Sequence, residues 1–266
     1  MKKSLLLLSL CLCSLIFSVP IQDRKIDPIA LSQLTTTLGI PPEANLIEET
    51  QRHWLRKPGQ ERWEMEELSQ NQKDFVLRWC ENQGLFSEWR PLEKNYDKAL
   101  ILGATTSTMQ KRLGFLKQLW EEGTRFQEIV WLTGDRPLDP RIEDLTDRCA
   151  TESEAARILW EEADLPNDMR NISVLFVATP MKSGGKRPNT EDTLVSWLKT
   201  SPRPSKTLFI SNQPFCGYQF AIVKKALPDT FLFDVVGPSS DPKGKPASAA
   251  IALDSIARWI YSDSPY

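Results

Sequence analysis

The chain is short of the residues that most often announce chemistry. It has one histidine, His53, among 266 residues, which excludes the familiar multi-histidine metal sites and leaves a single imidazole to act as a base. That ring sits in a Trp- and Arg-containing helical stretch far from the loops discussed below, and it reads as a surface or interhelical residue. Beyond Cys11 and Cys13 only Cys80, Cys149 and Cys216 remain, an odd and widely spaced set that is no disulfide framework. At least one of them is expected as a buried thiol. A basic excess is also missing. Setting aside Lys2 and Lys3, 31 cationic side chains face 35 acidic ones, so phosphate-neutralising nucleic-acid binding is not expected. No apolar run reaches the roughly 20 residues of a membrane-spanning helix. The run Leu5 to Val19, preceded by Lys2-Lys3, instead reads as an export signal over residues 1–19. An uncleaved signal anchor is its alternative and the one route to the membrane. The localisation implied is exported, periplasmic or anchored facing the periplasm.

What is present is ordinary globular composition, 41% hydrophobic and 26% charged. Residues 20–95 read as a helical extension. Helices are expected over Pro28–Leu38, closed by Gly39, over Ala44–Arg56, and over the amphipathic stretch Glu61–Asn82. Trp54, Trp63, Trp79 and Trp89 fall here, and helical spacing favours packing over a partner or membrane surface.

From residue 96 to 266 strands and helices alternate. Strands are expected at 99–103, 128–133, 174–179, 207–211 and 231–236, each followed by a helix. The run Val174–Thr179 reads as a strand covered on both faces. Repeated βα units imply an α/β class, a Rossmann-like three-layer α/β/α arrangement around a mainly parallel five-stranded sheet. In such sheets ligands sit where loops leave the carboxyl ends of the strands. The first loop, Gly103 to Thr108, offers backbone N–H groups and hydroxyls, including that of Thr105, as an anion cradle. It has neither the glycines of a dinucleotide fingerprint nor a phosphate-loop Gly-Lys-Ser/Thr. Arg112 lies a turn into the next helix and can reach the same anion, or else be a solvated cation. The third loop carries Lys182, Lys186 and Arg187 before Asn189, Thr190, Glu191 and Asp192, and reads either as an anion clamp or as a solvated loop. Glu154 heads another helix as a cap or a general base. Nothing in the spacing pairs a nucleophile with its base.

Several short motifs in order carry a resemblance. They are Leu102-Gly103 with Lys111-Arg112-Leu113, Leu132-Thr133-Gly134, Thr151-Glu152-Ser153-Glu154-Ala155, Arg187-Pro188-Asn189-Thr190-Glu191-Asp192-Thr193, and Leu208-Phe209-Ile210-Ser211-Asn212. Over Ala99 to about Pro228 the chain resembles the SanA/YdcF/ElyC-like family of bacterial envelope-associated α/β proteins, the domain of unknown function 218 family. Members usually carry a His and, three residues on, an Arg after the fourth strand, where this chain has Phe215 and Tyr218. Asp135 replaces a glycine and Thr193 an asparagine. The resemblance implies an exported envelope protein binding an anionic small molecule, nucleotide-like or sugar-phosphate, through Gly103, Thr105, Arg112, Gly134, Glu154, Asn189, Thr190, Asp192, Ser211 and Asn212. Its alternative is a non-catalytic interaction protein using the N-terminal helices as partner surface. Fold analogy alone adds cofactor-dependent methyl or hydride transfer, so the sequence names no cofactor.

Overall fold

The computed structural model describes residues 25–240 and 248–264, so the export-signal reading of residues 1–19 lies outside the described residues. Five strands, β1 (Lys98–Leu102), β2 (Glu128–Gly134), β3 (Ser173–Thr179), β4 (Lys206–Ile210) and β5 (Leu232–Val236), form one all-parallel sheet in the order β3-β2-β1-β4-β5. Lys98 pairs with Glu128 on one side of β1 and with Thr207 on the other. The central strand is accordingly sealed: Ala99, Leu100 and Ile101 are wholly inaccessible. An apolar strand that is buried on both faces is what a parallel sheet covered by helices requires.

The crossover helices divide into two layers. Helices α4 (Thr106–Glu121) and α5 (Glu152–Glu162) pack on one another and on β1, β2 and β3, while α7 (Thr190–Leu198) and α8 (Cys216–Ala226) pack together against β3 and β5 respectively. A short helix, α6 (Asn167–Arg170), leads into β3. The result is the three-layer, Rossmann-like α/β architecture expected. The chain turns toward β2 after β1 and toward β5 after β4, which makes the gap between β1 and β4 the topological switch point, where such sheets open a crevice.

Helices α1 (Pro28–Thr37), α2 (Leu46–Trp54) and α3 (Gln70–Asn82) precede the sheet. Asp27 caps α1 by accepting from the Ile29 N–H, and Gly39, at φ 84°, terminates it in the left-handed conformation that glycine tolerates best. Leu34, Val76 and Cys80 are fully buried, and Trp79 Nε1 donates to the Ala30 carbonyl. Helices α2 and α3 both pack on the last helix, α9 (Ala249–Asp263). Trp54, Trp79 and Trp89 are core residues, with Trp89 edge-on to Trp259, whereas Trp63 is exposed.

One expectation needs correction and another a refinement. The stretch 61–82 is not one helix: a single 3-10 turn, Arg62–Glu64, is followed by extended backbone at Met65, and α3 begins at Gln70. Tertiary partners explain the break, since Glu67 is drawn away to accept the Ala249 and Ala250 N–H groups at the start of α9. The cover on both faces expected of β3 is there, from α5 and α7, but it does not seal the strand. It pairs only with β2, lies at the sheet edge, and Val174, Leu175 and Phe176 are half-buried, with the Arg157 guanidinium 4.5 Å from the Phe176 ring centre. An apolar run does not encode whether a strand ends up central or marginal.

The close approach of α8 to α9 depends on one absent methyl. A Cβ at Gly217 would fall 2.2 Å from the Trp259 ring. Gly217→Ala should therefore lower unfolding stability by about 1–3 kcal/mol, as overpacked interiors do. Urea unfolding measures this, and an unchanged midpoint would show that α9 is free to shift.

Candidate functional site

The four loops that leave β1, β2, β3 and β4 converge on one cavity of about 640 Å³. Gly103, Thr105, Arg112, Gly134, Asn189 and Thr190 line it, so six of the expected residues share one wall despite their separation in the chain. The other four do not line it. Asn212 is buried behind Arg112, and Ser211 is wholly buried at the end of β4 with its N–H donated to Val236. Glu154 is exposed and accepts the Ala150 and Thr151 N–H groups, which hold its carboxyl below the usual range. It is a helix cap, not a base. Asp192 likewise accepts the Asn189 N–H while Asn189 Oδ1 accepts the Asp192 N–H, a reciprocal cap, and Lys182 closes on Asp192 at 2.6 Å.

The loop after β1 also departs from the expected cradle. The Thr106 N–H donates to Glu143 Oε1 at 3.0 Å, and the Thr105 hydroxyl donates to Thr108. The first free N–H of α4 is thus met by the protein's own carboxylate. Glu143 belongs to a buried network centred on Arg136, two residues that local sequence patterns do not single out. Arg136 Nη1 and Nη2 grip Glu143 at 2.7 and 2.8 Å, Nε donates to Glu152 at 2.6 Å, and the Pro137 and Ala104 carbonyls take the rest. All five guanidinium N–H groups are used. Burial works against the Glu143 charge, but the Arg136 hydrogen bonds and the Asp139 and Thr106 N–H groups outweigh it and depress the pKa.

Glu152 is the acid of α5 that does face the cavity. Its Oε1 accepts the Gly134 N–H at 3.1 Å and lies where a side chain on Gly103 would have to go, since a Cβ there would be 2.1 Å away. Burial raises its pKa, and the Arg136 contact offsets only part of that. A buried carboxyl of raised pKa beside a cavity is placed to exchange a proton. One signal could have found it: Glu152 precedes Ala155 and Ala156, both wholly buried, by three and four residues, so it shares their face of α5, whereas Glu154 does not.

Arg112, on α4, is 3% exposed. Nε and Nη2 donate to Asn212 Oδ1 at 3.0 and 2.7 Å, and Nη1 donates to the Leu102 and Gly103 carbonyls at 2.6 and 3.0 Å. Among the described residues no carboxylate pairs with it, and burial pushes its pKa down to about 10. One Nη2 hydrogen is left over on a side chain that lines the cavity.

Sequence reasoning also missed the opposite wall, which comes from the N-terminal segment and α9. Asp254, its side chain fully inaccessible, takes a bidentate contact from Arg258 at 3.0 and 2.9 Å, the Arg56 N–H at 3.2 Å, and the Arg62 Nε at 3.6 Å. Burial and the neighbouring Arg62 and Arg258 charges lower the Arg56 pKa. Arg62 lies over the Phe215 ring at 4.3 Å, and Phe215 meets Tyr218 edge-on at 6.1 Å. The two positions where the resemblance leads one to expect His and Arg therefore line the cavity as aromatics, with a guanidinium supplied from another part of the chain. Two ion pairs strap that segment across the rim, Glu61 to Arg187 at 2.7 Å and Glu64 to Arg141 at 3.2 Å. Arg187 and Lys182 are thus both exposed yet ion-paired, to Glu61 and Asp192. Among the described residues no group of His, Cys, Asp or Glu is arranged to hold a metal ion, and His53 is exposed beside Glu49.

Removing Arg136 leaves two buried carboxylates without their cation, so Arg136→Met should cost about 3–5 kcal/mol in urea unfolding. Stabilisation from Glu143 is present above its ordinary value of 4.5 and is lost as pH falls through its depressed folded value. Glu143→Gln should accordingly flatten the acid limb of the stability-pH curve. An acid limb as steep as that of the wild type would disprove the role given to Glu143.

Comparison with protein-family models, with curated proteins and with solved structures finds no match, so the site is read from its own geometry.

Proposed function

We propose that this chain is an exported, envelope-associated protein whose cavity at the carboxyl edge of the sheet binds an anionic small molecule. The single observation that carries the reading is Arg112: a guanidinium held inside the protein by neutral oxygens, facing a cavity, with no carboxylate paired to it. Desolvating a charge without a counter-ion is costly, and a bound anion recovers that cost. The switch-point location supports it. So does the charge distribution, because seven Arg and Lys residues and three carboxylates line the cavity of a chain whose overall charge is -2. Export is supported by Lys2-Lys3 ahead of the Leu5–Val19 run; no helix among the described residues is long and apolar enough to cross a membrane.

Partner capture through the N-terminal helices is the second reading. It rests on Ile29 and Trp63, 72% and 41% exposed, since the other tryptophans there are buried.

Anions that fill the site should raise the melting temperature of the wild type, by the equivalent of about 2.7 kcal/mol at a hundredfold excess over Kd. Arg112→Gln should abolish most of that shift. Equal shifts in both proteins would sink the reading. For export, the full chain should be recovered with the envelope or periplasm of an expressing bacterium and a form lacking residues 1–19 should stay in the cytoplasm; identical distributions would reject it.

A further inference from the structure

The charge around the cavity does more than select for an anion, because it has a size. Behind the walls stand two further carboxylates, Glu143 and Asp254, each gripped by a lining arginine. Counting them with the lining groups still leaves two positive charges in excess. The excess is not spread evenly. Arg136 is saturated by Glu143 and Glu152, and Arg187 is paired with Glu61. What remains sits on Arg112 and on Arg62 and Arg258, which share the single carboxylate of Asp254, while Arg56 shares Glu61 with Arg187. Arg62 has the clearest unmet need. Its Nε is inaccessible and hydrogen-bonds to nothing, being 3.6 Å from Asp254, and its guanidinium rests on the Phe215 ring beside the cavity. Arg112 and Arg62 are also near enough to repel, since the Arg62 charge contributes to the lowered Arg112 pKa.

We propose that the anion is a dianion, the terminal phosphate of a monoester, received between Arg112 on α4 and Arg62 on the strap of residues 56–64. This rests on the anion-binding reading above and narrows it. A phosphate monoester carries close to two charges above its second pKa of about 6, and its three terminal oxygens suit guanidinium groups approaching from different sides. A carboxylate or sulfate monoester brings one charge and leaves half the excess unmet. The aromatic pair Phe215 and Tyr218 lies beside Arg62 and gives the organic part of the ester an apolar surface.

The probes are methyl phosphate and methyl sulfate, nearly the same shape and differing by one charge, titrated calorimetrically at pH 8 into the full chain. Wild type should prefer the phosphate by about tenfold or more, a modest return for one extra charge near several guanidinium groups. Arg62→Gln should bring the two esters within about twofold, and Arg62→Lys should keep a preference. Thermal unfolding without ligand confirms that each variant is folded, as expected for a residue one-third exposed. Equal affinity for both esters in the wild type overturns the dianion inference while leaving anion binding intact. A preference that survives in Arg62→Gln overturns the assignment of Arg62. Binding of neither ester overturns this inference, and binding of no anion at all overturns the broader reading with it.

Discussion

The rim of this sheet is held in shape by the guanidinium of Arg136. A single side chain spans the exit of β1 through the Ala104 carbonyl, the loop after β2 through Glu143, and the head of α5 through Glu152. Both carboxylates carry the tie further. Glu143 accepts the N–H groups of Thr106 and Asp139, and Glu152 accepts that of Gly134, so three loops are stapled through one cation. Such an arrangement is not an efficient source of stability, because burying three charges costs much of what their attraction returns. What it supplies is position. Glu152 Oε1 is held on the Gly134 N–H and against Gly103, and a cavity wall follows.

Arg112 is the counterpart, similar in burial and opposite in satisfaction. Arg136 meets two carboxylates; Arg112 meets an amide oxygen and two backbone carbonyls. The difference separates a cation that builds the site from one that is available to a ligand. It also explains how an overall acidic chain presents a cationic cavity: the acids are dispersed over the outer surface or committed to caps, as Glu154 and Asp192 are, while arginines from five separate segments line one volume. Net charge says little about a concave site whose low-dielectric walls concentrate the local field.

The fold was legible because its signal is periodic and local. Apolar runs at 99–102, 129–132 and 207–210 are strands whichever neighbours they find, and the glycines at 39 and 123 stop helices by their own conformation, with φ of 84° and 95°. The convergence of the four loops followed from the parallel order of the strands. Choosing the right acid did not follow, because Glu152 and Glu154 both sit in the first turn of α5 and only the buried face, marked by Ala155 and Ala156, tells them apart. Motif likeness pointed at Glu154, whose neighbours make it a cap. The wall formed by residues 56–64 was illegible for a different reason. Glu61 meets Arg187, Arg62 meets Phe215, and Glu67 meets Ala249, contacts between residues more than a hundred positions apart that leave no periodic trace in either partner. Those same contacts broke the expected helix over 61–82, so the missed wall and the misread helix have one cause.

The cavity borrows from both extremities of the described chain. Arg56 and Arg62 precede the sheet and Arg258 follows it, and the three meet around the buried carboxylate of Asp254. A ribosome that has released everything through β5 has therefore delivered a sheet with its rim loops but no closed recess, because the anchor for the early arginines has yet to emerge. Closure of the recess then waits on α9, which joins the first helices to the far side of the sheet in a way that no single crossover unit could do alone.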